Sequence, residues 1–438
     1  NIGSSPNSID ETYRGPNPFS EPETQAIREF VNNRHITISL YFHSYSNLCL
    51  YPPGYDLYQP PSLEVFKALS RRFTSHNGYI VGTPWEVIYR VNGSSDDWLF
   101  YTDEHDPIFA FTIEVGTQED FFWPPLNRVE PLVRENIPTC LAAAEFSDNP
   151  RRSLPPHIAF DVSARQFGER RVRVTWRPPN DQDNPPLFYK VKVLSDPIRV
   201  WADFEEEDPE WQAVNFSLTS AQSHQGRFSF SLRPSANLAT LTYSKESPLP
   251  DTIRAWMMWD LRTNLRHGVA LEVSTDGLTW HPLSGTHTRD LIVNEINLGP
   301  VVSGSSNNSW RLVSWATEEW RGRMGQIRFR YYRLGSHRMT EHCYIDQVGP
   351  LNAWDWEALI ADSVSDPILI DTLRGENIWY SVQVVDREED LSFWSLPVPI
   401  EEPLPSIQWE LGVGWNLIGI PLNLSPDGWN VLTPLWER

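Results

Sequence analysis

Basic residues and cysteines are scarce in this sequence. Lys and Arg number 36 against 57 Asp and Glu, a formal net charge of −21. No block of Lys or Arg stands out, and a nucleic-acid surface needs the opposite sign, which argues against nucleic acid as a partner. The three cysteines, Cys49, Cys140 and Cys343, lie far apart. Their odd number rules out a complete disulfide framework, and their spacing matches no zinc or redox motif. No apolar run reaches the roughly 18 residues of a membrane-spanning helix. The chain opens on Asn1, not Met, and no signal-peptide pattern follows; that beginning reads as a processed product or a fragment.

Core-forming material is plentiful. Hydrophobic residues make up 40% of 438 residues and aromatics 13%, with 20 Trp, so two to four domains are expected. The 37 Pro and 23 Gly are spread along the chain, which suits many short strands joined by turns.

Residues 1–146 alternate helical and strand patterns. "FSEPETQAIREFVNNRH" (19–35) reads as a helix with a capping box at Ser20 and Glu23 and an apolar face of Ala26, Ile27, Phe30 and Val31. "ITISLYF" (36–42) and "IFAFTIEV" (108–115) are apolar on both faces, as buried strands are. "LEVFKALSRRF" (63–73) places Leu63, Phe66, Leu69 and Phe73 at helical spacing, and "LNRVEPLVRENIPTCLAAAEF" (126–146) reads as a helix kinked at proline. Such alternation predicts an α/β sheet covered on both sides.

Two polar residues stand out against those strands. His43 follows one, and Glu114 sits near the end of the other. Sites in open α/β sheets lie at the carboxyl ends of strands, so the pair is placed to face one crevice. A carboxylate among Phe111, Ile113 and Val115 is desolvated and its pKa raised, which suits a general base. Taken alone, the same residues also fit a core histidine bonded to backbone and a glutamate turned to solvent.

Four segments, "ETYRGPNPFSEPET" (11–24), "HSYSNLCLYPPGY" (43–55), "EVIYRVNGSSDDW" (86–98) and "FTIEV" (111–115), together resemble the zinc carboxypeptidases of the carboxypeptidase A, B and T type, in the family's order. The resemblance covers the second half of a peptidase domain. It implies a carboxypeptidase-type mixed sheet with helices on both faces, here in part, and a Zn2+ cofactor. By it, His43 is the third zinc ligand, Glu114 activates water, and Tyr89 closes over the substrate's terminal carboxylate. Tyr45 lines the subsites before the scissile bond. Asp96 forms the base of the side-chain pocket, where an acidic residue goes with C-terminal Lys or Arg. Pro53 departs from the family, which usually has an aromatic residue there. The other two zinc ligands of the family come from a His-x-x-Glu pair, and none occurs in this sequence. The resemblance therefore implies a fragment of a longer enzyme, and the rival reading is a degenerate, non-catalytic binding or adhesion protein.

After a polar linker at 147–156 the pattern changes to alternating strands, predicting a multidomain chain that continues in all-β sandwich modules. Residues 157–196, with Trp176, Tyr189, Val191 and Val193, resemble the first half of a fibronectin type III domain. Residues 357–402, with Tyr380, Val382 and Val384, resemble its second half. Between them, residues 197–356 resemble the MAM-like jelly-roll modules of secreted bacterial peptidases, inserted at a hairpin tip; two sandwiches in series are the alternative. Asp203, Glu205 and Asp346 are candidate ligands for a structural Ca2+, or solvated strand ends. Trp211, Trp280, Trp310 and Trp320 fit a glycan or cell-surface platform, or core packing. "IQWELGVGWNLIGIPLNLSPDGWNVL" (407–432) reads as a β-hairpin opening a further module at 403–438. These readings describe a secreted bacterial metallocarboxypeptidase that acts on peptide C-termini.

Overall fold

The structure is a computed structural model that describes residues 4–56, 58–206, 208–233, 238–261, 267–293, 296–333 and 341–401. The hairpin expected at 407–432 lies outside the described residues. Among them, no helix is long and apolar enough to cross a membrane.

Strands β1 (Ile38–His43), β2 (Leu48–Leu50), β3 (Ile80–Gly82) and β4 (Phe109–Glu114) form a mixed sheet in the order β1-β4-β2-β3. The β1–β4 and β2–β3 pairs are parallel, and β2 meets β4 antiparallel. Side chains of β4 alternate between two cores, as the strand period requires. Phe109, Phe111 and Ile113 meet Val65, Phe66, Leu69 and Phe73 of helix α2 (Leu63–Thr74) and Ala143 of the long helix Leu126–Glu145. Ala110, on the other face, joins Tyr41 of β1 with Val31 of α1 (Pro22–Asn32) and Leu99 of the helix Ser95–Tyr101. Helices thus flank both faces. Phe66 is the hub of the first core, with ring centroids of Tyr51, Phe100, Phe109 and Phe111 at 5.3, 4.7, 5.0 and 5.5 Å.

Two expectations need correction here. The capping box at Ser20 and Glu23 does not form: α1 starts at Pro22 with Glu21 as its cap, and the Ser20 hydroxyl donates instead to the Glu21 carboxylate. The apolar faces of α1 and β1 are also more open than expected, with Ile27 53%, Phe30 49% and Phe42 47% exposed. The reason is position, since among the described residues β1 is an edge strand and α1 packs mainly through Val31.

Among the described residues beyond 146, the regular elements are strands apart from short 3-10 turns. Residues 147–156, expected as a linker, contain one such turn, Pro150–Ser153. It is tied down by ion pairs of Arg151 with Asp183 and of Arg152 with Glu388, at 3.0 and 2.6 Å. Two large hydrophobic cores follow among the described residues. The smaller gathers Val172, Val174 and Trp176 from β6 (Arg171–Arg177, beside β5, Phe160–Phe167), Tyr189, Val191 and Val193 from β7 (Phe188–Ala202), and Tyr380, Val382 and Val384.

The larger core lies between two sheets. One contributes Leu241 of β8 (Leu238–Pro248), Leu271 of β10 (His267–Ser274) and Phe329 of β11 (Met324–Arg333). The other contributes Met257 of β9 (Thr252–Leu261) and Ile345 of β12 (His342–Val364). Strands β7 and β12 pair antiparallel from Tyr189–Val364 to Ala202–Val348. They thereby run unbroken from one core into the other.

Truncating Phe66 to Ala should destabilise the protein by about 3–5 kcal/mol. Ile27→Ser on the open face of α1 should stay within about 0.5 kcal/mol of the parent. Urea denaturation followed by circular dichroism measures both, and equal losses would contradict this placement of the core.

Candidate active site

The in-register parallel pairing of β1 with β4 sets His43 opposite Glu114, at the carboxyl ends of both strands. The imidazole Nδ1 lies 3.5 Å from Glu114 Oε1 and 3.3 Å from the carbonyl of Ser44. His43 is open to solvent while Glu114 is largely buried, with side-chain exposures of 68% and 14%. Burial raises the Glu114 pKa above the ordinary carboxylate value, and the neighbouring His43 partly offsets the rise. Glu114 Oε2 is buried without a hydrogen-bond partner among the described residues. The reading of Glu114 as a solvated strand end therefore does not hold.

Thr112, two residues earlier on the same face of β4, leads to the second carboxylate. Its hydroxyl donates to Asp96 Oδ2 at 2.6 Å. Asp96 sits in the first turn of the helix Ser95–Tyr101, whose cap, Ser94 Oγ, accepts the Asp96 N–H at 3.2 Å. Asp96 is 4% exposed, and its Oδ1 is buried without a partner among the described residues. Burial pushes its pKa up to about 7, against the Thr112 hydrogen bond, with a further push from Asp97. Asp97, not singled out from the sequence, is also buried, and its pKa is pushed up to about 6. Its Oδ1 accepts the Gly54 N–H at 2.8 Å. That bond ties down the loop containing Pro53, which is itself buried.

The remaining candidates lie on loops. Tyr45 packs against Phe121 and Phe122 with centroids 5.0 and 5.1 Å apart. The sequence does not announce those two rings, because "EDFFWPP" (119–125) carries no spacing signal. Asp120 anchors them by accepting the Thr117 N–H at 2.9 Å and the Arg128 guanidinium at 2.7 Å. Tyr89 is 67% exposed, just beyond the helical turn α3 (Pro84–Val87).

As to metals, a catalytic zinc takes three protein ligands. His43 supplies one imidazole, and among the described residues no group of three or more His, Cys, Asp or Glu could hold an ion. These residues alone do not complete a zinc site.

The proposed calcium ligands are likewise not clustered for an ion. Their oxygens accept backbone N–H groups: Asp346 from His224, Gln225 and Gln347, Glu205 from Arg227 and Phe228, and Asp203 from Glu205. Of the four tryptophans, Trp211 is in the larger core, Trp320 packs against it, and Trp280 lies under the Arg328 guanidinium. Trp310 meets the edge of His224.

The sequence profile described as zinc carboxypeptidase matches residues 1–139. Mast cell carboxypeptidase A of Rattus norvegicus is 35% identical over 148 residues, 31% of this chain and 35% of that protein. Carboxypeptidase B of Rattus norvegicus is 35% identical over 145 residues, 31% of this chain and 34% of that protein. The chain thus spans about a third of the length of these relatives. Bovine thrombin-activatable fibrinolysis inhibitor, solved in complex with tick carboxypeptidase inhibitor, is 27% identical with a TM-score of 0.30, over 33% of this chain and 51% of that one. Residues 1–139 are a zinc-carboxypeptidase-family region.

Proposed function

We propose that the chain supplies the general base and the side-chain pocket of a secreted zinc metallocarboxypeptidase that prefers peptides ending in Lys or Arg. The carrying observation is that one sheet face holds both the His43–Glu114 pair and, through Thr112, the buried carboxylate of Asp96. In this reading His43 serves as one zinc ligand, and the described residues bring no complete ligand set beside it. Zinc, when bound, supplies Lewis acidity at the scissile carbonyl. Glu114, its pKa raised by burial, takes the proton of the attacking water and returns it to the leaving amine. Tyr89, exposed beyond α3, closes over the terminal carboxylate, and Tyr45 with Phe121 and Phe122 borders the peptide before the scissile bond. The strands beyond residue 156 are read as a fibronectin type III-like module carrying a jelly-roll insertion.

Asp96 sets specificity in this reading. Its unpartnered Oδ1 accepts a charge-assisted hydrogen bond from Lys or Arg, whereas Leu or Phe would leave a buried charge unpaired. Such a bond contributes about 1.5–3 kcal/mol, or about 10- to 150-fold in discrimination.

In the full-length protein, kcat/KM should favour matched peptides ending in Arg or Lys over those ending in Leu or Phe. Asp96→Ile should reverse that order, and an unchanged ratio would remove Asp96 from the pocket. The preference should also depend on pH. With its pKa near 7, Asp96 is neutral at pH 5 and charged at pH 8, so the Arg-to-Leu ratio of kcat/KM should rise across that interval. Glu114 titrates equally for both substrates and cancels from the ratio; a flat ratio would contradict the assignment.

Glu114→Gln should abolish hydrolysis while zinc content, read by atomic absorption, stays at the parent level. Activity within tenfold of the parent would assign the proton transfer to another group.

A further inference from the structure

The β-strands beyond residue 156 touch the peptidase-family region through charged side chains. Glu272 of β10 is buried; Arg328 Nε of β11 donates to its Oε2 at 2.6 Å and the Tyr332 hydroxyl to its Oε1 at 2.7 Å. Arg330 projects from the same face of β11, its guanidinium 4.2 Å from the Tyr332 ring centroid. It reaches across to Glu86 Oε1 at 3.9 Å. Its Nε is buried without a hydrogen-bond partner among the described residues. Lys67 of α2 stands in the field of Glu86, Arg330, Arg328 and Glu272, and burial lowers its pKa.

Glu86 belongs to α3, a single turn of four residues. So short a helix does not hold itself and depends on side-chain bonds. Glu86 Oε2 closes a capping box by accepting the Thr83 N–H and hydroxyl, both at 3.1 Å, and Gln59 Nε2 donates to Oε1 at 3.1 Å. The backbone leaves helical geometry at Ile88, and Tyr89 follows. Beyond it, Arg90 donates to the Tyr55 carbonyl at 3.0 Å and Val91 N–H to the Gly54 carbonyl at 2.9 Å. Tyr89 therefore stands on a short segment tied at both ends, and one tie runs to β11. A partly buried ion pair adds little net stability over a well-packed apolar pair, and its geometry is demanding, which suits a contact that sets orientation.

We propose that Arg330 is a positioning residue for Tyr89: through Glu86, the β-module fixes the base from which Tyr89 reaches a bound C-terminus. The inference rests on the role given to Tyr89 in the carboxypeptidase reading. It assigns the appended β-strands a part in substrate closure, beyond any binding of their own.

The test uses the full-length protein with Arg330→Gln and Arg330→Lys, each alone and combined with Tyr89→Phe, and a peptide ending in Arg. Arg330→Gln should raise KM about fivefold to tenfold with kcat within about twofold, and Arg330→Lys should fall between it and the parent. In the Tyr89→Phe background the Arg330 effect should shrink below about twofold, because a double-mutant cycle isolates coupling. Amide hydrogen exchange over residues 86–91 should accelerate in Arg330→Gln while β1 and β4 keep parental rates. Effects that add fully with Tyr89→Phe, or parental KM and exchange, overturn the proposal. Should Arg330→Gln fail to fold, Arg330→Lys carries the same comparisons. A parent that hydrolyses no peptide defeats the carboxypeptidase reading instead. The exchange measurement then decides the brace alone: acceleration confined to 86–91 supports it, and its absence overturns it.

Discussion

Parallel pairing of β1 with β4, in register from Ile38–Phe109 to His43–Glu114, is the constraint on which the peptidase-family region depends. A slip of one residue would turn every side chain of β4 to the opposite face. Phe111 and Ile113 would leave the α2 core, and Thr112 would lose Asp96. Glu114 would no longer lie beside His43. The apolar residues that lock the register and the polar residues Thr112 and Glu114 alternate along the same strand. Packing on one face thus positions Thr112 and Glu114 on the other.

A second continuity organises the β part. Strands β7 and β12 pair over their shared length and line both cores in turn. Extended hydrogen-bonded ladders transmit orientation better than a loop, whose geometry any φ/ψ change alters. Ion pairs on the peptidase side, Arg72 with Asp390 and Arg152 with Glu388, then join α2 and the 3-10 turn to the segment after β13 (Ile378–Val385). The contact between Arg330 and Glu86 completes this frame from β11.

What the sequence made legible follows from its periodicities. Helix α2 was readable from Leu63, Phe66, Leu69 and Phe73, and β4 from its apolar run, because those patterns report burial directly. His43 and Glu114 were readable as polar residues at strand ends, and Asp96 through motif order. The cap of α1 was not, since Ser20 and Glu21 compete for the same role and only the backbone geometry decides. The open face of α1 was illegible because amphipathicity says that a face is apolar, not that something covers it. The carboxylates at Asp203, Glu205 and Asp346 looked like calcium ligands by composition; their actual partners are backbone N–H groups, which sequence never displays. The charge cluster of Lys67, Glu86, Glu272 and Arg330 joins residues more than 180 positions apart, and no local pattern announces it.

The central claim is that Glu114 and Asp96 serve one reaction, removal of a basic C-terminal residue by water. Mass spectrometry of an Arg-ending peptide incubated with the full-length protein in 18O-water tests it most directly. The account predicts loss of the terminal Arg alone, with 18O appearing in the new C-terminal carboxylate of the shortened peptide. An intact peptide, or cleavage at an internal bond, would contradict it.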